Sequence, residues 1–314
     1  MNAQSTDVDR LLTAAFADRV QRTVPLAPLT TFKVGGSADW LVDVRSEEEL
    51  RTALAIARAG GQQVNILGGG SNVLVSDAGV RGLVVRVKPM EASQPEPGRV
   101  RADAGLTING LVRWTLGRGI SGLEAWAGTP GTVGGAIYGN AHFGGRNIGD
   151  LVAAAHLVSP HGEAYTVPAA EMEFGYDSSR LQRTREVLIW AEFRTGSGDP
   201  GALRAVARAS LAHRKKTQPL ETPSAGCIFQ NPDPARDVVP DGIPPSAGAL
   251  VDRAGMKGTR LGAARVSDTH ANFIVNEGGA TSADIRELVE RCKREVRDRF
   301  GVTLREEIVY LGEF

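Results

Sequence analysis

The sequence predicts a mixed α+β fold of two or three domains. Three observations predict it. The 314 residues supply enough apolar side chains for several cores. Helix-period and strand-like stretches alternate, but without a regular βαβ repeat. Two glycine-rich runs, Leu67-Gly68-Gly69-Gly70-Ser71-Asn72 and Gly128-Thr129-Pro130-Gly131-Thr132-Val133-Gly134-Gly135-Ala136, follow or interrupt apolar, strand-like stretches.

Taken in order, residues 8–20 read as a short amphipathic helix. Residues 38–44 read as a strand and 47–58 as a helix with apolar spacing near 3.6. Strands are expected at 64–67, leading into the first glycine run, and then at 72–75 and 82–87. A polar, Pro-containing turn covers 91–98. A strand at 100–104 precedes a helix at 108–118, with Gly119 as its C-cap. Strands follow at 153–159 and 187–193, then a linker at 195–201 and a basic helix at 203–216. A new domain is expected near Thr217. Its start is loop-rich, with prolines at 219, 223, 232, 234, 240, 244 and 245. A helix at 247–254 ends at Gly255, and a strand covers 271–276. Residues 282–300 form a strong helix: Ser282 caps it, Ile285, Leu288, Val289, Cys292 and Val296 line its apolar face, and Gly301 ends it. Residues 307–311 give the last strand.

Composition narrows the function classes. Lys plus Arg and Asp plus Glu number 36 each, so no global field draws the chain to nucleic acid or to a membrane surface. No apolar run is long enough to span a bilayer. Residues 1–9 are polar and carry no signal core. The two cysteines make no disulfide framework, and the expected home is a reducing cytoplasm. Cys292, on a charged helical pattern, is expected to be structural. His270 has no His or Cys partner at metal spacing, so no metal site is expected and a hydrogen-bonded structural role is.

Glycine runs leave backbone N–H groups able to approach a ligand closely, and clustered amides bind anions such as phosphate. Two such loops in one chain suggest a dinucleotide gripped from two sides. Two tight turns are the plainer alternative. Gly-Gly-Gly-Ser-Asn lacks the G-x-G-x-x-G spacing of the Rossmann turn, and a strand rather than a helix is expected after it. A Walker A loop is absent too, since no Gly-Lys-Ser/Thr follows.

An ordered set of short motifs carries a resemblance. These are Thr30-Thr31-Phe32-Lys33-Val34-Gly35-Gly36, the run from Leu67 to Leu74, and Gly122-Leu123-Glu124 leading through the second glycine run to Gly139-Asn140-Ala141. Then come Pro223-Ser224-Ala225-Gly226-Cys227-Ile228-Phe229-Gln230-Asn231-Pro232, Ser246 to Gly258, Val266-Ser267 with His270-Ala271-Asn272-Phe273-Ile274-Val275-Asn276, and Leu304-Arg305-Glu306-Glu307. In this order, from Thr30 to the C-terminus, the chain resembles the UDP-N-acetylenolpyruvoylglucosamine reductase family. The short separation between Tyr176 and Arg214 resembles the branch that lacks an extra tyrosine-bearing loop.

The resemblance implies a vanillyl-alcohol-oxidase-type, two-part FAD-binding fold (20–85 with 301–314, and 86–213) and a third α+β domain, 214–300, for the UDP-sugar. It implies FAD as cofactor and NADPH as reductant, a cytoplasmic monomer, and synthesis of UDP-N-acetylmuramate for peptidoglycan. The FAD contacts it implies are Leu67, Gly68, Gly69, Gly70, Ser71, Asn72, Gly128, Thr129, Pro130, Gly134, Gly135, Ala136, Gly139, Asn140 and Ala141. Among these, the side chains of Ser71, Asn72 and Asn140 are expected to bond the cofactor.

The implied reaction moves a hydride from NADPH through the flavin to the enolpyruvyl C3, leaving negative charge at C2 and needing a proton there. The family's proton donor falls at Cys227, where serine is common. A thiol, with a pKa of about 8.5, donates readily; a small packing residue is the alternative. The glutamate that steadies the enolate falls at Glu307. Strand alternation lets only one of Glu306 and Glu307 face the site. For the substrate carboxylate the family has Tyr-Arg, but here Tyr176 is followed by Asp177. Arg180 is the nearest planar fork suited to a carboxylate. Tyr176, Arg214, Lys215, Gln218, Asn231 and Lys257, with Lys216, are candidates for the UDP-sugar. Two other readings are weighed: a related flavin oxidase of alcohols or lactones, and a catalytically impaired relative that binds nucleotide-sugar or flavin.

Overall fold

The computed structural model describes residues 3–88 and 90–314. The chain divides into two compact units. The first gathers the residues through Val24, Ala38–Gly69 and Arg81–His213; the second gathers Pro25–Ser37, Gly70–Val80 and Arg214–Phe314.

The first unit holds two sheets. One has the strand order Val20–Pro25, Ser37–Val44, Val80–Val87, Val64–Ile66. The last two run parallel, with Val64 opposite Leu83. Helices Ala3–Phe16 and Glu47–Ala59 cover this sheet, burying Leu12, Phe16, Leu50, Ala53, Trp40, Leu83 and Val85 in one core. Ser46 caps the second helix by accepting from the Glu49 amide. The other sheet is antiparallel, in the order Ala164–Pro168, Val152–Val158, Val187–Arg194, Arg99–Asp103, Ala92–Ser93. Its core includes Val100, Leu111, Trp126, Ile137, Leu157 and Phe193.

In the second unit, Val309–Leu311 pairs in parallel with Val73–Val75. A three-stranded sheet joins Arg260–Leu261, Ala264–Val266 and Ile274–Asn276. Helices Ala247–Arg253 and Ser282–Phe300 pack Leu250, Val251, Leu288 and Cys292 against Phe32, Leu74 and Phe229. Burial pushes the Cys292 thiol up to about 12, so it stays a neutral packing group.

Most long elements fall where periodicity places them. The expected helix at 8–20 ends at Phe16, where a 3-10 turn and then a strand begin. The helix after Thr107 closes at Gly117 rather than Gly119. Ser282 is not the cap of the last helix. Thr281 is, exchanging bonds with Asp284, while the Ser282 amide donates to Asp77 Oδ1 at 2.9 Å and its hydroxyl to the Val75 carbonyl. The segment 301–314 clusters with the second unit rather than with 38–69.

Candidate active site

The two glycine runs meet within the first unit. A Cβ on Gly69 would lie 2.7 Å from Gly131 Cα, and one on Gly68 would lie 2.7 Å from Thr132 Oγ1. Only glycine lets the backbones come this close. The Leu67 amide donates to Val85, ending the ladder. Beyond it, the amides of Gly68, Gly69, Gly70, Ser71 and Asn72 have no acceptor among the described residues, and neither do those of Gly131 and Thr132. Gly68, Gly69, Gly131 and Thr132 thus bring a cluster of unsatisfied donors to one place. Solvent-accessible amides without acceptors are what a phosphate chain needs, so the residues fit the FAD pyrophosphate.

Other expected FAD contacts serve the fold instead. The Gly134 amide donates to Ala104 at 2.9 Å, Gly128 to Asn109 Oδ1 at 2.7 Å, and Thr129 to Trp126 at 2.9 Å. The Gly135 amide is capped by Thr132 Oγ1 at 3.3 Å. Gly139 donates to Gly135 and Ala141 to Ala136, closing the short helix Val133–Tyr138. Ala136 packs into the core, and Pro130 has no amide to give. The side chains of Asn72 and Asn140 correct the expectation most. Asn72 Nδ2 donates to the Glu307 carbonyl at 3.0 Å. Buried Asn140 donates to the Gly175 carbonyl at 2.7 Å and accepts from the Gly149 amide at 2.9 Å. The buried Asn140 amide is thus engaged at both ends within the protein, and Asn72 spends one donor there.

In the second unit the loop bearing Cys227 is pinned on both sides. Asn272 accepts from the Phe229 amide at 2.9 Å through its side chain and from the Ile228 amide at 2.8 Å through its carbonyl. Its Nδ2 returns a bond to the Phe229 carbonyl at 2.8 Å. Across the loop, the Glu307 amide donates to the Ile228 carbonyl at 2.8 Å, the Gln230 amide donates to the Arg305 carbonyl at 2.8 Å, and Phe229 bridges Glu306. Glu307 is therefore bonded through its backbone to the residue that follows Cys227. The adjacent glutamates precede the strand Val309–Leu311, so strand alternation does not apply to them. Glu306 is held by Lys293 of the last helix at 3.0 Å. Cys227 is half-buried and forms no disulfide among the described residues. The buried Arg214 carries its charge within electrostatic range of it, while burial pulls that guanidinium below its usual range.

The other UDP-sugar candidates are less committed. Lys215 is exposed at the end of the helix Pro200–Thr217, and the Gln218 amide extends that helix to the Arg214 carbonyl at 2.9 Å. Lys257 pairs with Asp252 at 2.8 Å. Asn231 Oδ1 accepts from the Ala247 amide at 3.0 Å, which fixes the start of a helix. His270 is structural as expected: its Nδ1 accepts from the Asn272 amide at 3.2 Å, and burial holds it below the usual histidine range. No cluster of three metal-ligating side chains occurs among the described residues.

Arg180 does not stand in for the missing arginine. Its Nε and Nη2 both lie 2.8 Å from Glu186, whose carboxylate also accepts from Thr184 at 2.7 Å and from Tyr165. The fork is filled by a carboxylate of the protein itself. Burial pushes Glu186 upward, but the bonds from Tyr165, Thr184 and Arg180 outweigh it and hold the carboxyl below its usual range. Arg180→Ala is therefore expected to act on stability. It leaves a carboxylate 4% exposed without its cation, at a cost of about 3–5 kcal/mol. A group held low contributes stability above its unfolded pKa of about 4.3 and loses it as pH falls through the folded value. The variant should thus have a flatter acid limb in urea titrations run from pH 7 to 3. Unchanged midpoints would refute this.

Asp177 is paired as its burial requires, with Oδ1 2.9 Å from His142 Nδ1. Tyr176, the residue before it, is exposed, and its ring sits 5.2 Å from that of His142. Asn272, Gly131 and Thr132 escaped the sequence reading as individual site residues, although all lie inside quoted motifs.

Comparison with known proteins identifies the family. The family model for an FAD binding domain matches residues 38–168, and that for the UDP-N-acetylenolpyruvoylglucosamine reductase C-terminal domain matches 218–311. The chain is 38% identical over 303 residues to the UDP-N-acetylenolpyruvoylglucosamine reductase of Synechococcus sp. (strain JA-3-3Ab), covering 96% of this chain and 94% of that one. It is 39% identical over 289 residues to the enzyme of the same name from Moorella thermoacetica, covering 92% of each. The crystal structure of the reductase from Thermus caldophilus superposes with a TM-score of 0.78 at 32% identity, covering 93% of this chain and 99% of that one. A berberine bridge enzyme variant, a reticuline dehydrogenase, superposes on 62% of this chain and 44% of its own with a TM-score of 0.51 at 15% identity. That likeness shows the shared two-part flavin fold alone. With both family models in place and such identity along nearly its whole length, the chain belongs to the UDP-N-acetylenolpyruvoylglucosamine reductase family.

Proposed function

We propose that this chain is the FAD-dependent enzyme that uses NADPH to reduce UDP-N-acetylglucosamine enolpyruvate to UDP-N-acetylmuramate in peptidoglycan precursor synthesis. The observation that supports the chemistry is the backbone bond from the Glu307 amide to the Ile228 carbonyl, which ties the segment bearing Glu307 to the residue after Cys227. When bound, FAD supplies the hydride chemistry, relaying hydride from NADPH to C3 of the enolpyruvyl group. The remaining work falls to side chains. Negative charge arriving at C2 spreads into the adjoining carboxylate. Glu307 in its acid form shares a proton with that carboxylate, which steadies the enolate. The Cys227 thiol then gives its proton to C2, completing addition of one hydride and one proton across the double bond. Asn272 and Asn72 act on this pair through the backbone, fixing the Cys227 loop and the Glu307 carbonyl. Arg214, Lys215, Gln218, Asn231, Lys257 and Tyr176 remain our assignment for the UDP-sugar. The partition into 20–85 with 301–314, 86–213 and 214–300 remains our functional division.

No helix among the described residues is long and apolar enough to cross a membrane. The balanced charge and the two thiols support a cytoplasmic monomer without nucleic-acid partners. The purified protein should be yellow and should oxidise NADPH only when the enolpyruvyl sugar is present. A yellow protein that consumes alcohols or lactones instead would revive the oxidase reading. Binding without turnover would mark an impaired relative.

A further inference from the structure

Within the second unit, the segment bearing Cys227 runs into a proline-rich loop that has no part in the reaction as drawn. Residues 232–245 carry prolines at 232, 234, 240, 244 and 245 and form neither helix nor strand. Such long connections are uncommon in compact domains and usually serve function. This one is built in. Its base is closed where Asn231 Oδ1 accepts from the Ala247 amide, and Val239 and Ile243 pack onto the core of the unit. Residues 233–237 close a turn: the Asp237 amide donates to the Asp233 carbonyl at 2.7 Å, and the Asp233 amide returns a bond to Asp237 Oδ2 at 2.7 Å.

Arg305 grips this turn. Its Nη2 donates to Asp237 Oδ2 at 2.9 Å and its Nη1 to Oδ1 at 3.4 Å. Bonds from Arg305 first, and then from the Asp233 amide, hold the Asp237 carboxyl below its usual range, so the pair is charged. The Asp237 side chain is 11% exposed, which shields the pair from solvent screening. The same arginine works through its backbone. Its carbonyl accepts from the Gln230 amide at 2.8 Å, and two residues on, the Glu307 amide donates to the Ile228 carbonyl at 2.8 Å. Arg305 thus joins the end of the Cys227 segment, the turn that follows it and the segment bearing Glu307. An isolated pairing of extended segments this short is marginal in water. A carboxylate held by a guanidinium fork fixes orientation as well as distance, so the side-chain pair keeps the Gln230–Arg305 end of the contact from fraying.

We infer that Arg305, paired with Asp237, is a positioning residue for proton delivery: it sets the Cys227 segment against the segment bearing Glu307. This inference rests on the reductase reading. Arg305 acts through Gln230 and Glu307 and not on the substrate, and no covalent bond is made or broken by it. The proline-rich loop is its anchor point, which gives that loop a task in the reaction.

The test follows the two half-reactions of the FAD-loaded enzyme by stopped flow. Arg305→Gln should accept electrons from NADPH at the parent rate. Its reoxidation by saturating UDP-N-acetylglucosamine enolpyruvate should slow about 10- to 100-fold, the scale of a small misplacement of reacting groups. Asp237→Asn should act in the same direction, and the double variant should lose little more, since both changes break one interaction. Arg305→Lys should recover only part of the rate, because an ammonium keeps the charge but not the fork. Placed in Cys227→Ala, Arg305→Gln should slow reoxidation little further, because the donor whose place it sets is gone. Equal slowing of both half-reactions would mean a general structural role and overturn the inference. So would parent-rate reoxidation in Arg305→Gln, or its full effect persisting in Cys227→Ala. If Arg305→Gln fails to fold, Arg305→Lys and Asp237→Asn decide alone. If the parent enzyme fails to oxidise NADPH with the enolpyruvyl sugar, the reductase reading falls. If the parent turns over and Arg305→Gln reoxidises normally, only the positioning assignment falls.

Discussion

Cys227→Ala holoenzyme is expected to accept electrons from NADPH at the parent rate and then to stall. Reduction of the bound cofactor needs no proton from residue 227. Reoxidation by the enolpyruvyl sugar does, and should slow by about 10²–10⁴, the usual worth of a placed acid. Cys227→Ser should retain much of the activity, because a hydroxyl on the same pinned loop reaches the same place. The Asn272 clamp makes the comparison clean. The bonds from Ile228 and Phe229 to Asn272 involve no atom of the Cys227 side chain, so alanine removes the proton without freeing the loop. Stopped-flow absorbance of the bound flavin, whose colour is lost on reduction and regained on reoxidation, separates the two half-reactions. A Cys227→Ala enzyme that reoxidises at the parent rate would leave Cys227 as packing and pass the proton to another group.

That prediction came directly from sequence; its neighbour at Arg180 did not survive the structure. The difference is physical. Cys227 and Glu307 sit in segments whose partners are backbone groups at fixed register, such as Ile228 with Glu307, so motif order carries their geometry. Arg180 is placed by a side-chain partner, Glu186, six residues on and one buried strand start away. Nothing in periodicity says which carboxylate a guanidinium will meet. The same limit hid the tie between His142 and Asp177, which spans 35 residues. It also hid the double duty of Asn140 and the bond from Asn72 to Glu307. Long elements were legible because burial repeats along them. The helix Ser282–Phe300 has its expected bounds and apolar face, and only its cap moved by one residue, because Thr281 and Ser282 are both competent caps and Ser282 finds Asp77 and Val75 instead. Short pieces such as Ala164–Pro168 and Ile120–Ser121 carry too few residues to show alternation. The clustering of 25–37 and 70–80 with the C-terminal segment reflects long-range pairing, such as Val309–Leu311 on Val73–Val75, which has no local signature.

The glycine runs yield the second large effect, and the structure changes which residue tests it. A bulky residue at Gly70 would place Cβ 2.2 Å from the Leu29 carbonyl in left-handed backbone, and one at Gly134 would crowd the Ala104 carbonyl at 3.2 Å. Both would strain the protein whether or not a cofactor is present, so neither isolates the cofactor. Gly69 is the better probe. It is exposed, its φ is not left-handed, and its Cβ would meet only the facing run, 2.7 Å from Gly131 Cα. Backbone cannot yield as a flexible side chain does, so Gly69→Val must push the two runs apart. The amides of Gly68, Gly69, Gly131 and Thr132 would then no longer converge, and the pyrophosphate would lose several bonds at once, each worth about 1.5–3 kcal/mol when the acceptor is charged. The purified variant should emerge colourless and fail to regain flavin when FAD is added. Its apo melting temperature should fall only modestly, since the strands beneath are untouched. Gly61→Ala serves as the control: it imposes alanine on left-handed backbone, φ 63°, with nothing within 4 Å. It should melt slightly lower yet keep its full flavin content. A yellow Gly69→Val with the parent spectrum would place the cofactor's phosphates elsewhere and leave the paired glycine runs as no more than two tight turns.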